Sequence, residues 1–163
     1  MSAAILGPDA SPFVGRGTGV DDDAFAQKAV VVDDALQRIA GISEPLDILR
    51  EVGGAELVAM AGALVEARMR AIPVLLDGYI ATSPALALHA LDAALVDNCW
   101  AGHCSAEPGH KMVLDHLGRT PLLTLDMRLG EASGAMAAVP LMKMACALMN
   151  DVPTFAEWFG PGD

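Results

Sequence analysis

The segment Ile72-Pro73-Val74-Leu75-Leu76 is an unbroken apolar run that stops at Asp77-Gly78. A strand with one face in water alternates apolar and polar residues, whereas a run without alternation suits a strand covered on both faces, as in a parallel sheet flanked by helices. The pattern of apolar run, polar turn and helical stretch then recurs. A helix over 82–94 leads to a second apolar run at 95–102, a helix over 106–117 to a third at 121–125, and a last helix spans 131–149. Repeated βα units predict an α/β fold: a Rossmann-like parallel sheet of about three strands with flanking helices.

Upstream of that sheet the chain reads as helical. Residues 1–14, with Pro8 and Pro12, carry no strong period and are expected as an irregular lead-in to an α/β portion over 15–163. Phe25, Ala29, Val32, Ala35, Leu36 and Ile39 recur at helical spacing after an aspartate suited to capping the first turn. Shorter helices follow, from Glu44-Pro45 to Arg50 and from Ala55 to about Arg70. The helix over 131–149 is apolar almost all round and is expected to be deeply buried.

Composition narrows the function. Acidic residues outnumber basic ones 21 to 10, so no broad electropositive surface is available for a phosphate backbone, and nucleic acid is not an expected partner. A small anion is still compatible with one helix N-terminus and one lysine. Hydrophobic residues make up 53% of the 163 and charged ones 19%, more apolar side chain than a small domain hides by itself, so a large interface is expected. Cys99, Cys104 and Cys146 are odd in number and lack paired spacing, which argues against a disulfide framework and a zinc site and suits a reducing cytoplasm. The N-terminus lacks the basic region and apolar length of a signal peptide. The most apolar segment, 134–149, contains Lys143 and Pro140 and falls short of the roughly 20 residues of a membrane span.

In parallel sheets ligands gather at the carboxyl ends of strands, where Asp77, His103 to Ser105 and Glu131 fall. Asp77 suits a ribose hydroxyl or a turn cap. His103 suits a phosphate or ribose contact or a structural role, and Ser105 with Glu107 also suits a helix cap. Gly15-x-Gly17-x-Gly19 before a helix exposes backbone N–H groups to an anion, with Lys28 able to fold back as a point charge; the same residues suit a plain glycine-rich turn. Glu131, between Gly130 and Ser133-Gly134, is either a base whose acidity is balanced by helix dipole and apolar surroundings, or a first-turn glutamate that complements the dipole.

Taken in one order, Val14-Gly15-Arg16-Gly17-Thr18-Gly19, Leu76-Asp77-Gly78-Tyr79, Ser105-Ala106-Glu107-Pro108-Gly109-His110, Arg128-Leu129-Gly130-Glu131-x-Ser133-Gly134-Ala135 and Thr154-Phe155-Ala156-Glu157 resemble the nicotinate-nucleotide:dimethylbenzimidazole phosphoribosyltransferase family, from about residue 13 to Phe159. The resemblance implies phosphoribosyl transfer from nicotinate mononucleotide to 5,6-dimethylbenzimidazole or a related base, giving α-ribazole 5'-phosphate and nicotinate in cobalamin lower-ligand synthesis. It implies Glu131 as catalytic base, Gly15, Gly17 and Lys28 as the phosphate-holding group, and Ser105 near the ribose. Asp77 joins the phosphate and ribose contacts, and Leu129 and Gly130 the base pocket. No metal and no cofactor are required by this scheme.

Two departures from the family pattern matter. Ala132 stands where the family has glycine, which is tolerable only if that position has negative φ. Family members are also about twice as long, and an N-terminal half with a second glutamate and much of the aromatic-base pocket is not in this sequence. Little turnover is therefore expected from these residues by themselves, and a homodimer or association with a separate N-terminal half is the expected assembly. A non-catalytic nucleotide- or benzimidazole-binding module and an inactive truncated remnant are the alternatives.

Overall fold

The computed structural model describes residues 1–7, 9–17 and 19–160. Helix α1 (Ser2–Leu6) and a 3-10 turn (Ser11–Phe13) precede α2 (Asp22–Arg38), α3 (Pro45–Val52) and α4 (Gly54–Met69). The βα portion follows as β1 (Val74–Leu76), α5 (Tyr79–Leu91), a 3-10 turn (Ala93–Val96), β2 (Cys99–Ala101), β3 (His103–Cys104), α6 (Pro108–His116), β4 (Leu123–Thr124), α7 (Ser133–Asp151) and α8 (Phe155–Phe159).

The strands are short and parallel. Val74, Leu75 and Leu76 of β1 face Cys99, Trp100 and Ala101 of β2, and His103 and Cys104 of β3 face Leu123 and Thr124 of β4. β2 and β3 are two halves of one extended run broken at Gly102, whose N–H donates to Leu76 O at 2.8 Å while Leu122 N–H reaches Ala101 O at 2.9 Å. The expected three-strand α/β layout is therefore present as three parallel runs. The second run begins at Cys99 rather than at 95, because Asp92 caps Ala94 N–H and turns residues 93–96 into a 3-10 helix.

Gly102 has a packing reason. A Cβ there would lie 2.8 Å from Ala135 Cα and 3.0 Å from Leu76 O, so only glycine lets the first turn of α7 meet the sheet.

Buried apolar residues from α3 (Leu49), α4 (Ala61, Leu64), α5 (Ala85, Ala87, Leu88) and the strands (Leu76, Cys99) form the main core. Leu86, Val113 and Leu117 form a second cluster between α5 and α6. The central helix is thus α5, buried continuously from Thr82 to Leu88. The periodic face anticipated for α2 is its less exposed face: Phe25, Ala29, Val32, Ala35 and Leu36 are half-buried and Ile39 is buried, with Asp21 capping Ala24 N–H as expected.

Two expectations are corrected. The described residues of 1–14, which exclude Pro8, are not an irregular lead-in, since they hold α1 and a 3-10 turn, with Ala3, Ala10, Phe13 and Val14 buried and Ser2 Oγ 3.2 Å from Ser83 Oγ. The last long helix is not deeply buried: in α7 only Gly134, Ala135 and Ala138 are. Apolar composition reports a tendency to be covered, but burial requires a neighbour, and α7 meets the sheet only through its first turns. Met149 is 85% exposed and Phe155, at the start of α8, is 84% exposed. Among the described residues no helix is long and apolar enough to cross a membrane.

Candidate active site

The loops leaving β1, β3 and β4, together with the glycine turn before α2, enclose a cavity of about 560 Å³. Of the residues singled out from the sequence, its wall includes Gly15, Gly17, Lys28, Asp77, His103, Ser105, Leu129, Gly130 and Glu131, but not Gly19. They come from four separate stretches and meet at the carboxyl ends of the strands, where the backbone ends of a parallel sheet leave room for a ligand.

Lys28 folds back onto the glycine turn, its Nζ donating to Gly15 O at 2.6 Å. Gly17 adopts φ 66° and Gly19 φ 75°, the left-handed region where a side chain is strained. Thr18, between them, lies outside the described residues. The Gly17 N–H that the sequence offers to an anion meets the Glu107 carboxylate, at 3.0 Å. A Cβ on Gly15 would overlap that same carboxylate, so glycine at 15 makes room for it. The sequence marks Glu107 only as part of a helix cap. No local spacing connects it to Gly17, 90 residues away.

Asp77 Oδ1 accepts Ala135 N–H at 2.8 Å. Helix α7 has no capping side chain of its own, because its N-cap position is Ala132. The aspartate at the end of β1 therefore serves as a tertiary cap and fixes the turn that carries Glu131, a contact of the kind typically worth about 1 kcal/mol. His103, 3% exposed, places Nε2 3.7 Å from the same Asp77 oxygen, and its Nδ1 is buried without a hydrogen-bond partner among the described residues.

Ser105, at the end of β3, is held by a buried histidine. His110 Nδ1 lies 2.8 Å from Ser105 N and 2.9 Å from Ser105 Oγ, and Nε2 lies 3.0 Å from Thr82 Oγ1. Burial lowers the His110 pKa to about 4, with the neighbouring His103 adding to the effect and Asp77 opposing it, so the ring is neutral. Tyr79, also on the cavity wall, has its phenol pKa raised, chiefly by burial.

Glu131 does not open the last helix, as the sequence suggested; α7 begins at Ser133. Gly130, Glu131 and Ala132 instead form a left-handed turn, with φ of 80°, 56° and 60°. Glu131 lines the cavity yet is an exposed residue. The positive φ at Ala132 also overturns the expectation that alanine there signals negative φ. A left-handed alanine costs roughly 1–2 kcal/mol, and glycine gives back about 0.4–1 kcal/mol of that through its freer unfolded chain. Ala132→Gly is therefore expected to raise stability by up to about 1 kcal/mol in denaturant melts; a lowered midpoint would contradict the strain. Among the described residues no cluster of three His, Cys, Asp or Glu side chains is placed to hold a metal ion.

A phosphoribosyltransferase family model matches residues 1–158. The chain belongs to that family. It is similar to the nicotinate-nucleotide–dimethylbenzimidazole phosphoribosyltransferases of Methylocella silvestris, 50% identical over 155 residues, and of Methylorubrum extorquens, 46% identical over 156. Each alignment covers 94% of this chain and 46% of the relative. The crystal structure of the enzyme of that name from Thermus thermophilus superposes with a TM-score of 0.86 at 38% identity, over 99% of this chain and 47% of the other. The chain thus spans about half the length of the curated relatives it matches.

Proposed function

We propose that this chain supplies the strand-end half of a site that transfers the phosphoribosyl group of nicotinate mononucleotide to 5,6-dimethylbenzimidazole or a related base, giving α-ribazole 5'-phosphate and nicotinate. The observation that carries this reading is the shared cavity: Glu131 lines the same 560 Å³ space as Gly15, Gly17 and Lys28. A phosphate that displaces the Glu107 carboxylate from the Gly17 N–H and is held at the glycine turn by Lys28 leaves the ribose between Ser105 and Asp77 and directs the anomeric carbon toward Glu131, with Leu129 and Gly130 against the aromatic base. Nicotinate leaves from a pyridinium and needs little acid assistance. The weak partner is the nucleophile, a neutral azole nitrogen, and a carboxylate that removes the proton from its other nitrogen strengthens the attack. Holding the incoming base on the ribose face opposite the departing nicotinate supplies proximity and enforces inversion at the anomeric carbon.

The exposure of Glu131 and of α7 and α8 supports the companion proposal that a further portion, the N-terminal half of such an enzyme or a second copy, closes the cleft and covers those helices. Three free thiols suit a cytoplasmic setting. The exposed carboxylate also favours one second reading, a non-catalytic module that binds the nucleotide or the base without turnover.

Nicotinate release and α-ribazole 5'-phosphate formation, followed chromatographically, separate the readings. Turnover is expected when an N-terminal half is supplied and little or none from the purified chain. Binding without turnover under any complementation would leave only the module. Replacing Lys28 by methionine removes a charge-assisted contact and is expected to weaken nicotinate mononucleotide binding about tenfold or more in calorimetric titration. Unchanged affinity would remove Lys28 from the phosphate site.

A further inference from the structure

We infer that His110 is a positioning residue that fixes Ser105 Oγ as a hydrogen-bond acceptor facing the cavity, so that the site selects a ligand hydroxyl, that of a ribose, at this point. The inference rests on the ribose reading of Ser105 given above and extends it to a residue that lines no part of the cavity itself.

A backbone N–H can only donate, so the Ser105 N–H at 2.8 Å makes His110 Nδ1 an acceptor and puts the ring proton on Nε2. Nε2–H then donates to Thr82 Oγ1, 3.0 Å away, and the threonine hydroxyl donates onward to Gly78 O at 2.9 Å. The direction of the whole chain follows from one amide. Ser105 Oγ lies 2.9 Å from the same Nδ1 and shares that nitrogen's single lone pair with the amide in a three-centre bond, so the hydroxyl hydrogen turns inward and the oxygen's lone pairs face the cavity. An oxygen presented in this way accepts from a sugar hydroxyl and repels a phosphate oxygen. The chain also joins the loop after β3 to the loop after β1, because Gly78 and Ser105 both line the cavity and a Cβ on Gly78 would lie 3.7 Å from Ser105 Cβ. His110 has no exposed surface, which keeps water from competing for either nitrogen.

Two measurements test this. Nitrogen NMR of the imidazole needs no ligand: the Nε2–H tautomer at neutral pH is the expected result, and an Nδ1–H or charged ring would overturn the inference. Binding of nicotinate mononucleotide is then compared with that of its 2'-deoxy and 3'-deoxy analogues. The intact chain is expected to prefer the full ribose over one of the analogues by about tenfold, the worth of one hydrogen bond in a buried site. Ser105→Ala and His110→Leu are expected to erase that preference while the analogue's own affinity stays put. His110→Asn, whose amide oxygen can take the Ser105 N–H, is expected to retain part of it. If His110→Leu fails to fold, Thr82→Val, which leaves the Nε2–H without its acceptor and frees the ring to turn, is expected to halve the preference or more. Equal weakening of every ligand by these variants means a merely structural histidine and overturns the inference. Failure of the intact chain to bind nicotinate mononucleotide at all removes the proposed function and the ribose selection with it; the imidazole signals then show whether the relay fell too.

Discussion

Glu131→Gln is expected to lower the rate of α-ribazole 5'-phosphate formation by about 10²–10⁴-fold, the usual worth of a positioned general base, with nicotinate mononucleotide affinity held within about threefold. Glutamine keeps the length and hydrogen-bonding capacity of the side chain and loses only the ability to take a proton. The proposed phosphate contacts, Gly15, Gly17 and Lys28, belong to a different stretch of the cavity wall, so ground-state binding has no reason to follow. Single-turnover kinetics in the complemented system read the chemical step directly. A glutamine variant with near-native rates would remove the carboxylate from the chemistry. Backbone strain gives a second readout: Glu131 sits at φ 56°, a conformation costing an L-residue roughly 1–2 kcal/mol. Glu131→Gly should therefore raise the melting temperature while abolishing turnover, a divergence that a purely structural glutamate would not produce.

The largest effect on stability is expected at Gly134. A Cβ at that position would overlap the His103 ring, which is buried beside Asp77 and would have to be displaced from it. Overpacking a site of this kind typically costs about 1–3 kcal/mol and occasionally more. About 3 kcal/mol is expected for Gly134→Ala, a drop of roughly 6–12 °C in melting temperature for a chain of this size. The same substitution should pull the first turn of α7 away from Asp77, breaking the Ala135 N–H cap and displacing the Glu131 turn. Gly134→Ala that melts within about 2 °C of the parent would mean the α7 and β3 contact is looser than its geometry implies.

How much of the site was legible differs from residue to residue. Asp77, Ser105 and Glu131 stand out because each follows a β-run, and the ends of parallel strands collect ligands whatever the detail of the loops. Gly15, Gly17 and Lys28 are marked by glycine spacing and one cation. Glu107 and His110 carry no such signal: the partner of Glu107 lies 90 residues upstream, and the role of His110 depends on Thr82, 28 residues away. Ala132 misleads in the other direction, since alanine gives no sign of the left-handed turn that tertiary contacts impose on it.

The order of runs and turns in the chain determined the α/β class, the parallel pairing and the end of the sheet where chemistry gathers, because hydrophobic periodicity and strand connectivity are local properties. Only tertiary structure decided that α5 rather than α7 is the central helix, that the beginning of the chain is ordered against α5, and that Asp77 caps a helix 58 residues away. Burial and hydrogen-bond partnership are properties of pairs of surfaces. A sequence states what each surface wants to cover, and the assembled chain settles which of them finds a cover.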